Sequence, residues 1–176
     1  MKKNQIITKS PEETRNVAKK IVREWIESDT NKNLRLVICL SGNLGDGKTT
    51  FVKGLAEELG IKETITSPTF LIMKKYAPSR RSSLQRDYNG TKTERFTEPK
   101  ATRCCVAFGS VNLYHFDCYR ISNPKEILDL GWKEIISKKN SVIAIEWPEK
   151  IKQILPKKRV NIKFEFVDEK TRRIIV

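Results

Sequence analysis

Apolar positions along this chain follow two rhythms, and the changes between them mark its elements. Leu34-Arg35-Leu36-Val37-Ile38-Cys39-Leu40 and Ser141-Val142-Ile143-Ala144-Ile145-Glu146 are short, nearly continuous apolar runs. Such runs suit strands covered on both faces, as in a parallel sheet. Val160, Ile162, Phe164 and Phe166 alternate with polar residues instead, which predicts a strand with one covered face and residues 173–176 as its hairpin partner. Helical spacing appears in Val17, Ile21, Val22, Trp25 and Ile26, with Trp25 read as core filler. That helix has a clear start: Ser10 as N-cap, Pro11 at the first helical position and Glu13 to close a capping box. A second helix is expected over residues 50–59, stopping at Gly60. Ile6-Ile7-Thr8, Phe70-Leu71-Ile72-Met73 and residues 111–117 read as strands. A short helix opens at Asn123-Pro124, Gly131-Trp132 interrupts it, residues 133–137 resume it, and residues 151–155 form a helical turn. Strands alternating with helices predict an α/β fold of three layers around a mixed, mostly parallel central sheet. No internal repeat is visible.

About residues 78–110 the rhythm fails: Ser, Arg, Thr, Asn and Gly replace periodic apolar positions. We read this as a polar, basic insertion, with a weak strand near residues 104–108, inside a single domain spanning 1–176. At 176 residues, 38% hydrophobic and 32% charged, the chain is long enough for one real core. It has no run of apolar residues long enough to cross a membrane, and Met1-Lys2-Lys3-Asn4-Gln5 does not open a signal peptide. Cys39, Cys104, Cys105 and Cys118 make no C-x-x-C pair, and His115 alone cannot complete a zinc set, so a reduced, cytoplasmic setting is expected. Net charge is +14. Residues 150–176 carry nine Lys or Arg against three acids, and residues 77–110 carry seven against three. That balance favours polyanions, RNA included, although solvated lysine faces account for it equally well.

Chemistry enters with Gly42-Asn43-Leu44-Gly45-Asp46-Gly47-Lys48-Thr49, which fits the P-loop pattern G-x-x-x-x-G-K-[ST] and sits between a predicted strand and helix. Glycines let backbone N–H groups turn around phosphate oxygens, and the helix N-terminus adds positive potential. Gly45, Asp46, Gly47, Lys48, Thr49 and Thr50 are the candidate ATP contacts, with Lys48 reaching the β- and γ-phosphates and Thr49 on Mg²⁺. Ligands of open α/β sheets bind at the carboxyl ends of strands, where Asp117 and Glu146 both stand. Glu146 occupies the position of a magnesium acid, and Asp117 that of a group orienting water. Ser67, Pro68 and Thr69 form a stiffened loop after the P-loop helix, where a switch sensing the γ-phosphate would lie. His115 is read as a packed, hydrogen-bonded histidine on the face of its strand that carries Asp117.

Five blocks in order resemble the TsaE (YjeE) family: Ser10…Glu13-Thr14; the P-loop through Thr50-Phe51; Ser67-Pro68-Thr69-Phe70; Leu113-Tyr114-His115-Phe116-Asp117-Cys118-Tyr119-Arg120; and Ile145-Glu146-Trp147-Pro148-Glu149. The resemblance implies a P-loop NTPase-type domain that binds ATP with Mg²⁺ and hydrolyses it slowly. Its partner would be a TsaB–TsaD pair that transfers threonylcarbamoyl to adenosine 37 of tRNA, with direct tRNA contact left open. It further implies Lys48, Asp117 and Glu146 as catalytic residues, Thr49 and Glu146 as the metal's ligands, and Trp147 as an aromatic beside the site. Ser10, Glu149 and Arg172 are implied as further nucleotide contacts. The chain departs from the family pattern at Asp46, where Ala is usual, at Cys118, where Leu is usual, and in the length of the insertion. An acid at position 46 weakens ATP binding unless it points to solvent. Two other readings stay open from the residues alone: a small P-loop kinase, and a nucleotide-gated adaptor without useful turnover.

Overall fold

The computed structural model describes residues 4–28, 35–78 and 111–176. The predicted insertion, apart from its first residue, and the weak strand near 104–108 lie outside the described residues.

Seven strands form one sheet in the order β1 (Gln5–Thr8), β7 (Arg172–Ile175), β6 (Val160–Phe166), β2 (Arg35–Ser41), β5 (Ser141–Glu146), β4 (Asn112–Asp117) and β3 (Met73–Tyr76). The central strands β6, β2, β5 and β4 are parallel, while β7 and β3 run against their neighbours. β1 is antiparallel to β7 and so points with the central four, giving a mixed, mostly parallel sheet. Register aligns Leu40 with Glu146 and Glu146 with Asp117, so the acids end adjacent strands at the level where β2 runs out.

Helices cover both faces. α1 (Pro11–Ser28) and α2 (Lys48–Glu58) pack on one, against Leu36, Ile38 and Leu40 of β2. On the other, Val37 and Cys39 of β2 meet α3 (Lys125–Asp129), α4 (Trp132–Ser137) and a 3-10 helix (Pro148–Ile154). The alternation within one apolar run thus feeds two cores, which is why β2 and β5 contain almost no polar residue. The α1 start forms as expected: Ser10 Oγ accepts the Glu13 N–H at 3.1 Å, and Glu13 reaches back to the Lys9 N–H at 2.7 Å. Trp25 packs, partly buried, against the first core.

Gly54 stands where α1 crosses α2. A Cβ there would lie 2.4 Å from the Arg15 carbonyl oxygen and 2.6 Å from the Arg15 Cα. Glycine in mid-helix is costly to helix stability, so its presence here follows from the close approach of a neighbouring backbone.

The strand expected at 70–73 is displaced. The chain turns there, with the Leu71 N–H donating to the Pro68 carbonyl at 2.8 Å and Ile72 at φ 63°, and β3 starts at Met73. Phe70 and Leu71 are 82% and 68% exposed despite their apolar character. Register with β4 pairs Met73 with Phe116, and the Ile72 carbonyl accepts the Asp117 N–H at 2.9 Å. Sheet pairing from Met73 onward therefore outweighs the β preference of the preceding residues. Phe166 shares its strand face with Ile162 and Phe164 but is exposed, and its ring takes the Arg172 guanidinium at 4.7 Å.

Candidate nucleotide-binding site

β2 ends at Ser41, and the chain loops through residues 42–47 before α2 begins at Lys48. Two glycines are required by geometry. Gly42 (φ 140°) lies so near β6 that a Cβ would sit 2.7 Å from the Phe164 carbonyl, and Gly47 (φ 97°) is the left-handed residue that starts α2. Phe51 and Phe164, edge to face at 5.5 Å, lock the first turns of α2 to β6.

Lys48 is 5% exposed. Its ammonium donates to the Gly42 and Asn43 carbonyls at 2.8 and 2.7 Å and lies 4.5 Å from the centre of the Trp147 ring. Burial lowers its pKa, against the opposing pull of Glu146, Asp46, Asp117 and Glu149. Thr49 donates its hydroxyl to Glu146 Oε1 at 2.9 Å. Asp117, 4% exposed, is held on three sides. Its Oδ2 accepts the Ser67 hydroxyl and, at 2.5 Å, the Thr69 hydroxyl, while Oδ1 accepts the Tyr119 N–H at 3.0 Å. Ser67 and Thr69 also bond each other at 2.7 Å.

These groups border a cavity of about 320 Å³ whose walls include Gly45, Gly47, Lys48, Thr49, Thr50, Ser67, Thr69, Asp117 and Glu146. A larger groove of about 590 Å³ runs between β1 and α1, but its walls carry neither the loop nor the strand-end acids. The polar chemistry lies in the smaller one.

Several expected contacts fall elsewhere. Asp46 faces neither solvent nor the cavity: it is 3% exposed and its Oδ2 accepts the Asn43 N–H at 2.5 Å, bracing the loop from within. Arg172 backs the loop, its guanidinium donating to the Gly45 carbonyl at 3.2 Å. Ser10 caps α1, and neither it nor Pro68 nor Glu149 borders the cavity. Tyr119, Leu44 and Trp147 do. Sequence reasoning singled out Trp147 but passed over Leu44 and Tyr119. For Tyr119 the signal was its place two residues after Asp117, and its ring lies 5.1 Å from that of Trp147. Trp147 takes a left-handed φ of 59° on leaving β5, which turns its ring back under Lys48.

Comparison with known proteins identifies the family. The family profile described as "Threonylcarbamoyl adenosine biosynthesis protein TsaE" matches residues 8–87 and 102–174. A curated tRNA threonylcarbamoyladenosine biosynthesis protein TsaE from Bacillus subtilis is 32% identical over 99% of this chain and 85% of its own length. One from Treponema pallidum is 33% identical over 80% of each chain. The crystal structure of YdiB from Bacillus subtilis superposes with a TM-score of 0.62 at 28% identity, covering 99% of this chain and 84% of that one. With the profile spanning both the P-loop and the two strand-end acids, the chain belongs to the TsaE family.

Proposed function

We propose that this chain is the ATPase component of tRNA threonylcarbamoyladenosine synthesis. It binds ATP with Mg²⁺, hydrolyses it slowly, and through that cycle supports a TsaB–TsaD pair forming N6-threonylcarbamoyladenosine at position 37 of tRNA in the cytoplasm. The observation that carries this reading is the convergence of Lys48, Thr49, Glu146 and Asp117 on one cavity at the carboxyl ends of β2, β4 and β5.

The residues fit a magnesium ion. Thr49 and Glu146 offer a hydroxyl and a carboxylate already 2.9 Å apart, and Mg²⁺ takes oxygen ligands. Mg²⁺ of this kind relies on one or two protein oxygens plus phosphates and water. When bound, Mg²⁺ would neutralise charge on the β- and γ-phosphate oxygens.

The protein's own groups do the rest. Backbone N–H groups at the start of α2 face the phosphates, and Lys48 exchanges the Gly42 and Asn43 carbonyls for phosphate oxygens. Asp117, oriented by the Tyr119 N–H, positions the attacking water once Ser67 and Thr69 leave its Oδ2. Lys48 and Asp117 are both engaged inside the protein, so turnover waits on breaking those contacts. That supports slow basal hydrolysis and acceleration by a partner. tRNA is reached through the TsaB–TsaD pair, with direct contact to this subunit left open, and among the described residues no helix is long and apolar enough to cross a membrane.

Phosphate release measured with and without TsaB–TsaD tests the proposal. Strong stimulation by the pair is expected. Phosphoryl transfer to a small molecule would favour a kinase, and nucleotide binding without turnover under either condition would favour an adaptor.

A further inference from the structure

His115 lies in β4 with no exposed surface, two residues before Asp117 and aligned with Ala144 of β5. Its Nε2 is 2.9 Å from Glu146 Oε1, the oxygen that also accepts the Thr49 hydroxyl. An ionised carboxylate only accepts, so Nε2 carries the hydrogen. Two donors, one on β4 and one on α2, therefore hold Oε1. Oε2 receives no hydrogen bond from the described residues, and Glu146 borders the cavity. The other ring nitrogen, Nδ1, is buried and has no hydrogen-bond partner among the described residues. Leaving a polar nitrogen unsatisfied in a core is unfavourable, so packing alone selects an apolar side chain at this position.

We infer that His115 is a positioning residue for Glu146: its Nε2–H fixes the carboxylate so that Oε2 faces the metal or the metal's water. The inference rests on the magnesium-dependent nucleotide binding proposed above. Partners of this kind orient a ligand without touching the ion, and their loss typically weakens metal affinity about 10- to 100-fold.

The test is calorimetric and needs no turnover. ADP affinity is measured for the intact chain in EDTA, and the apparent Mg²⁺ constant is measured at saturating ADP, for the parent, His115→Phe, His115→Gln and His115→Asn. A glutamine amide reaches as far as Nε2, and an asparagine amide reaches only as far as Nδ1. The Phe and Asn variants should need about 10- to 100-fold more Mg²⁺, with Gln near the parent and EDTA affinities within about twofold of it. If the Phe variant does not fold, the Gln and Asn pair makes the same comparison. Equal Mg²⁺ constants for Gln and Asn, or a matching loss of affinity in EDTA, would overturn the positioning role. A parent that does not bind ADP would remove the underlying nucleotide reading, whereas one whose ADP binding ignores Mg²⁺ would remove the magnesium site and this inference with it.

Discussion

Helix propensity and tertiary packing give opposite signs for Gly54→Ala, which makes that substitution informative. Propensity alone predicts a gain of about 1 kcal/mol, because alanine orders a helix at less entropic cost than glycine. In this structure the added methyl would sit 2.4 Å from the Arg15 carbonyl oxygen and 2.9 Å from the Ala18 Cβ, where ordinary contact begins at 3.4 Å. The nearest atoms belong to the backbone of α1 and cannot rotate away. Relief requires the two helices to part by about 1 Å at their crossing. Ala18, Val22, Phe51 and Leu55 lie in the core those helices share, so their packing loosens too. Overpacking of this kind costs about 1–3 kcal/mol, and the loosened contacts add to it. The net expectation is a loss of roughly 1–3 kcal/mol, seen as a thermal midpoint lowered by roughly 3–10 °C. Far-UV circular dichroism with heating, checked by urea unfolding at unchanged m-value, reads it directly. A Gly54→Ala protein as stable as the parent, or more so, would show that the helices do not cross this closely.

Lys48→Ala should reduce ADP affinity at least tenfold, since phosphate charge loses its nearest cation; calorimetry at fixed salt reads this, and affinity equal to the parent's would contradict the assignment. Glu146→Ala and Asp117→Ala should keep much of the nucleotide binding yet lower phosphate release about 100-fold or more, and parental rates in both would discard them as catalytic groups. Asp46→Asn keeps an acceptor for the Asn43 amide while removing a negative charge beside the phosphates. ADP affinity should rise roughly two- to tenfold, more at low salt, and a fall would mean that the charge itself braces the loop. Burial pushes the Cys39 thiol up to about 11 and the Cys118 thiol up to about 12. A thiol raised in the folded state stabilises it fully below the unfolded value, and that contribution is lost as pH climbs through the folded one. Stability should therefore decline from about pH 9 upward, and both thiols should resist alkylation at pH 8 in the native protein; rapid native labelling of either by mass spectrometry would refute their burial.

Much of the fold was legible because local and global signals agree in it. The Ser10–Glu13 cap, the two apolar runs and the β6–β7 pair each read correctly from a few residues. β3 did not, because Phe70 and Leu71 look like strand residues while the register set by Met73 and Phe116 leaves them in a turn. The P-loop and the two acids stand out as a motif and as strand ends, so their convergence followed from topology. Asp46 could be noticed in the sequence, but only the fold shows its carboxylate turned under the loop onto the Asn43 amide. The shared oxygen between His115 and Thr49 was invisible for the same reason: β4, β5 and α2 meet there from three distant segments.

A crystal structure with Mg²⁺ and a non-hydrolysable ATP analogue tests the central claim most directly. The account predicts β- and γ-phosphates against the first turn of α2, the ion on the Thr49 hydroxyl with Glu146 beside it, and Asp117 facing the γ-phosphate across one water. A triphosphate seated outside that cavity, or a metal with neither Thr49 nor Glu146 in its surroundings, would contradict it.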